Sequence, residues 1–185
     1  QESISEFAQK GNTAIGLATI HWCAKKGMIQ QGYTALEETI KSFVCDLYGY
    51  ENESDRKVRD EAIGTALTCC SQLVKESGLH DDEKMAYFKD NQSHFFEMAV
   101  EKGWRIPQEE DEKKLFEEVL QNIPLELANF AEDVKDKRND INHFGMRSNS
   151  SSPKKLVDIF NKHVEQFDEL YKRYEYLSPS DTPKV

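Results

Sequence analysis

Residues 124–145, PLELANFAEDVKDKRNDINHFG, decide the fold class and carry the chemistry. Pro124 suits a first helical position, where its missing N–H removes no bond, and Gly145 suits the stop after a last turn. Between them Leu127, Phe130, Ala131, Val134 and Ile141 share one side at helical spacing, so that side is expected to pack inward. At about 100° per residue, Arg138, Asn139, Asn142 and His143 fall within an arc of about 140°, while Asp140 and Ile141 point elsewhere. One polar face at the helix end thus holds a guanidinium, an imidazole and two amides, with Arg138 at the edge of the apolar side.

The same periodicity extends outward through the chain. Only 9 Gly and 5 Pro interrupt 185 residues, they fall between periodic segments, and no strand-like alternation competes. A first helix is expected from about Glu2 to Lys26, stopped by Gly27. Thr34 with Glu37 three residues later has the form of a capping box, which places Gln30 and Gln31 just before the second helix. Leu36, Ile40, Val44 and Leu47 then form an apolar stripe. Further helices are expected near Ser54–Ser77, closed by Gly78, and Glu83–Lys102, closed by Gly103. The acidic loop from Gln108 to Glu112 leads into a short one near Lys113–Gln121.

After a polar loop at Ser148–Ser152, Ser152 can cap a last helix opened by Pro153 and striped by Leu156, Phe160, Val164, Phe167, Tyr171 and Tyr174. The predicted fold is all-α: an up-and-down bundle of five or six main helices over residues 1–177, with a loose tail at 178–185.

Composition bounds the function. A hydrophobic content of 38% with 31% charged residues describes one ordinary domain, and no apolar run is long enough to span a bilayer. The absence of an initiating Met points to a piece of a longer chain. Cys23, Cys45, Cys69 and Cys70 have neither zinc-ligand nor disulfide spacing, so small core residues in a reducing cytoplasm are expected. The net charge of −10 opposes a broadly basic nucleic-acid binder. That charge is uneven: residues 1–131 hold 14 Lys+Arg against 24 Asp+Glu, residues 132–175 hold 9 against 9, and residues 142–163 carry +3. The region around Arg138 is therefore the least repulsive to RNA.

The polar face suits a phosphodiester. A histidine titrates near neutrality and can move protons, which makes His143 the candidate acid or base. Arg138 offers a permanently charged planar fork for phosphate oxygens. Asn139 and Asn142 can orient the phosphate or the imidazole, and Arg147 adds a nearby cation for RNA. The competing account makes His143 a favourable charge at a helix C-terminus and pairs Arg138 with Asp140 or another nearby acid.

Other groups support less. His80-Asp81-Asp82-Glu83 reads better as a helix start, capped by Asp81 or Asp82, than as a metal cluster. His21 and His94 read as satisfied core or interface residues. Phe95, Phe96, Tyr171 and Tyr174 read as core before base-stacking residues.

The R-N-x-x-x-H spacing of Arg138, Asn139 and His143 resembles the signature of HEPN domains, helical modules of which many are ribonucleases. Residues 22–38, WCAKKGMIQQGYTALEE, resemble the opening helix pair of CRISPR-associated ribonucleases that join a CARF sensor to a HEPN effector. The resemblance implies a homodimer formed through the motif helices, with two copies of Arg138 and His143 in a composite cleft. It implies metal-independent cleavage of single-stranded RNA to a 2′,3′-cyclic phosphate, without a cofactor, in antiviral defence. It also implies a CARF domain that binds cyclic oligoadenylate and is expected to lie outside this chain. Two alternatives stay open: a non-catalytic HEPN module that holds a partner, and a HEPN toxin or abortive-infection ribonuclease outside CRISPR systems.

Overall fold

A computed structural model describes residues 11–50, 55–142 and 153–175. Every regular element among them is helical, with no strand. In chain order these are α1 (Asn12–Lys26), α2 (Ile29–Leu47), a π-helical stretch (Lys57–Gly64) that runs into α3 (Thr65–Glu76), and α4 (Asp81–Asn91). A 3₁₀ turn (Gln92–His94) joins α4 to α5 (Phe95–Glu101), followed by α6 (Glu110–Asn122), α7 (Leu125–Asn142) and α8 (Pro153–Tyr174). No described helix is long and apolar enough to cross a membrane.

The chain divides into two compact units. The first comprises, among the described residues, 11–46 and 133–175, and the second 47–50 and 55–132. In the first unit, Ile20 and Cys23 of α1, Tyr33, Leu36, Ile40, Phe43 and Val44 of α2, Val134 of α7, and Phe160, Val164, Phe167 and Leu170 of α8 are buried. The stripe expected on the second helix is thus the buried face of α2, and that on the last helix is buried at Phe160, Val164 and Phe167, with Leu156, Tyr171 and Tyr174 half-buried. Tyr33 lies against Phe160 with ring centres 4.9 Å apart, and Phe43 packs edge-on to Phe167 at 6.1 Å. Gly27 closes α1 in the left-handed region with φ 67°, which a side chain would strain, and its N–H bonds to Ala24 O.

The second helix corrects the sequence reading. It begins at Ile29, so Gln30, Gln31 and Thr34 lie inside it, and Thr34 Oγ1 donates to Gln30 O at 3.1 Å instead of capping. Gly32 makes a helix start look attractive at that point. Its physical reason is packing: a Cβ there would collide with the Phe160 ring. Gly16 likewise lets α1 meet the Thr39 side chain of α2.

In the second unit α3, α5 and α6 bury Leu67, Cys70, Leu73, Phe95, Leu115, Phe116, Val119 and Leu120. The expected short helix at Lys113–Gln121 is longer. Glu110, Asp111 and Glu112 form its first turn, where acidic side chains complement the exposed N–H groups, rather than a preceding loop. His80, not an aspartate, occupies the N-cap of α4, and its N–H donates to Glu83 Oε2 at 3.2 Å. Phe95 is fully buried beside Phe88 and belongs to the core, while Phe96 is half-buried and packs against Phe116 at 6.2 Å. All four cysteines are free and buried. Burial pushes the Cys69 thiol up to about 12, far from a reactive thiolate.

Candidate functional site

A helix over Leu125–Asn142 carries Arg138, Asn139 and Asn142, with Pro124 just ahead of its first residue and Leu127, Phe130 and Val134 buried along one side. Ala131 and Ile141 of that side are half-buried. His143, Gly145 and Arg147 lie outside the described residues, as do Ser152 and the tail at 178–185. Arg138, Asn139 and Asn142 are described, and α2 meets the same stretch of α7.

Two contacts join the two helices, and ion pairs within α2 extend the cluster. Arg138 Nη1 stands 2.6 Å from Glu37 Oε2. Gln30 Nε2 donates to Asn142 Oδ1 at 3.1 Å, one position before His143 in the sequence. Lys41 Nζ lies 3.3 Å from Glu37 Oε1 and 2.9 Å from Glu38 Oε1. Positions 30, 37 and 41 recur at helical spacing on α2, as 138 and 142 do on α7, so a polar seam follows directly from the 3.6-residue period. Gln30 reaches the motif stretch through Asn142, and both Gln30 and Gln31 are exposed.

The Arg138 side chain is more enclosed than a solvent-facing polar surface implies, at 29% exposure, and Glu37 is at 13%. Their contact has the distance of an ion pair but not the angle of a hydrogen bond, so Glu37 Oε2 has no hydrogen bond. Arg138 Nε is also buried without an acceptor, and Nη2 reaches Asn139 Oδ1 only at 3.4 Å. A buried polar atom without a partner costs about 1–3 kcal/mol. This guanidinium is held by one corner and keeps donor capacity in reserve.

A second polar cluster in the same unit was not singled out from the sequence. His163 is 7% exposed; its Nδ1 accepts from Tyr33 Oη at 2.9 Å, and its Nε2 donates to Asp133 Oδ2 at 2.9 Å. Burial lowers the imidazole pKa, against the opposing pull of Asp133. Burial, then the charge of Asp133, raises the Tyr33 phenol. The available signal was a histidine midway between Phe160 and Phe167 on an apolar stripe. His21 is exposed instead of core and pairs with Asp168 at 3.0 Å, while His94 is exposed.

No group of three or more His, Cys, Asp or Glu among the described residues could hold a metal ion. In the second unit a hollow of about 320 Å³ is lined by Arg56, Asp60, Glu61, Arg105 and Glu112, a mixture of charges without a convergent arrangement. Comparison with family models, curated proteins and solved structures finds no match.

Proposed function

We propose that the chain is the HEPN-type effector of a metal-independent endoribonuclease that cuts single-stranded RNA. The observation that carries the reading is the R-N-x-x-x-H sequence of residues 138–143, whose Arg138, near the end of α7, is anchored at one corner while its Nε has no acceptor. In the proposed reaction the RNA 2′-oxygen attacks phosphorus and the bond to the 5′-oxygen breaks. A base takes the 2′-hydroxyl proton and an acid gives one to the leaving oxygen, so the products are a 2′,3′-cyclic phosphate and a 5′-hydroxyl.

His143 performs one of these proton transfers, and Arg138 stabilises the charge that develops on the non-bridging oxygens. A homodimer through the motif helices supplies the second histidine. Asn139 and Asn142 orient the phosphate or imidazole, and Arg147 holds the RNA backbone. The CRISPR setting, the CARF sensor and the cytoplasmic location belong to this proposal through the resemblance of residues 22–38 and the motif. A toxin of the same chemistry is its nearest variant.

A non-catalytic binding module is the second reading, and one observation favours it. Arg138 is already paired with a nearby acid, Glu37, as a purely structural arginine is expected to be. Cleavage of a labelled single-stranded RNA by the wild type in EDTA, with a cyclic phosphate end, is the outcome the nuclease reading expects. Strict dependence on magnesium or manganese sinks the mechanism, and no cleavage with RNA or partner binding intact selects the binding module.

A further inference from the structure

We propose that Glu37 is a positioning residue for the phosphate-binding edge of Arg138, an inference that rests on the ribonuclease reading. On a guanidinium, the Nε and Nη2 protons lie along one edge, and Nη1 occupies the opposite corner. Glu37 Oε2 takes that corner at 2.6 Å. The Nε–Nη2 edge is left with a buried, unpartnered Nε and a weak 3.4 Å contact from Nη2 to Asn139. Two parallel N–H donors on one edge match two oxygens of a phosphate, and Asn139 gives way as the phosphate arrives.

The carboxylate can set direction because it is itself held. Its Oε1 lies 3.3 Å from Lys41 Nζ, and the side chains of Glu37 and Lys41 are 13% and 10% exposed. One carboxylate between two cations restrains the guanidinium at its Nη1 corner and leaves the trio with a net charge of +1. Glu38, the other acid on Lys41, is 45% exposed and solvated. An arginine restrained before RNA arrives loses less freedom on binding, and a small misplacement of such a group is costly in rate.

This arrangement separates orientation from attraction. Glu37→Gln keeps the size of the side chain but removes a negative charge, so RNA should bind as well or better while the guanidinium is misdirected. The experiment is single-turnover cleavage of a labelled oligoribonucleotide under saturating enzyme, where the rate constant does not depend on the folded fraction. We expect Glu37→Gln to cut about tenfold or more slowly, with half-saturation unchanged or lowered. Glu37→Asp keeps the charge but retracts the carboxylate, so it should bind like the wild type and recover part of the rate; it carries the test if the Gln variant does not fold.

A wild-type or faster rate in Glu37→Gln overturns the proposal, because a faster rate means that Glu37 restrains Arg138 instead of directing it. Equal losses in rate and RNA binding also overturn it. Wild-type protein that cuts no RNA overturns the ribonuclease reading and this role with it. Wild-type cleavage that His143→Ala abolishes but Glu37→Gln leaves intact overturns this role alone.

Discussion

The first unit contains two polar clusters, one on the buried His163 and one on the partly enclosed Arg138, and they differ in how completely their groups are used. His163 engages both ring nitrogens at 2.9 Å, with Tyr33 on one side and Asp133 on the other. Its neutral tautomer is fixed, and it has no nitrogen left for a ligand. Arg138 is held by Glu37 at one corner but keeps an unpartnered Nε. A closed network of this kind rigidifies a core, whereas an incompletely satisfied one needs another explanation. Histidine is the more familiar catalytic residue, yet by this criterion the described histidine is architectural and the arginine is the candidate.

The largest effect should fall on the incomplete cluster. His143→Ala is expected to slow RNA cleavage roughly 10²–10⁴-fold, and Arg138→Ala roughly 10²–10³-fold. The two should differ in stability. Arg138→Ala leaves Glu37 enclosed with Lys41 as its remaining described cation, a loss on the order of 1–3 kcal/mol. His143→Ala should melt close to wild type. Cleavage at the wild-type rate by either variant breaks the assignment of the incomplete cluster to catalysis.

Phe160→Ala tests the complementary claim about the closed cluster. Phe160 is fully buried, lies 4.9 Å from Tyr33 by ring centre and occupies the space beside Gly32. Its removal is expected to cost about 3–5 kcal/mol in urea unfolding. Cleavage per folded molecule, measured well below the melting temperature, should change little. A large loss of rate without loss of stability shows that the His163 cluster serves the reaction after all.

These contrasts also show what the sequence makes legible. Helical spacing exposes the stripes on α2, α7 and α8 because each is a local period, and the grouping of Arg138, Asn139 and Asn142 follows from the same arithmetic. The start of α2 is obscured because Gly32 and Thr34 look like a boundary when the Phe160 that explains the glycine is far along the chain. The Glu37–Arg138 and Tyr33–His163 pairs are hidden for the same reason: each joins residues more than a hundred positions apart. The acid that stands against Arg138 is Glu37, on another helix and outside the reach of any local reading.

A smaller effect concerns assembly. If two copies of Arg138 and His143 make one cleft, only dimers cut. Below the dimer dissociation constant, each tenfold dilution should then lower activity per protomer by about tenfold. Sedimentation and cleavage across the same concentration series check this. A monomer with undiminished activity removes the composite site and leaves the incomplete cluster to work alone.

The smallest effect is the pH response of the closed cluster. His163 has a folded-state pKa below its ordinary value, chiefly through burial, with Asp133 raising it and Lys137 lowering it. As pH falls below about 6.5, the unfolded chain takes up a proton that the folded chain resists, so stability is lost from that point downward. One proton sets a ceiling of about 1.4 kcal/mol per pH unit on this contribution. His163→Gln cannot titrate, so between about pH 7 and about pH 5 its unfolding free energy should fall less steeply than that of the wild type, although it starts lower because Tyr33 and Asp133 lose a partner. Carboxylates elsewhere act on both proteins alike and cancel in the difference. An equal or steeper slope in the variant means that His163 is not held neutral, and the contrast between a closed imidazole and a partly open guanidinium then fails.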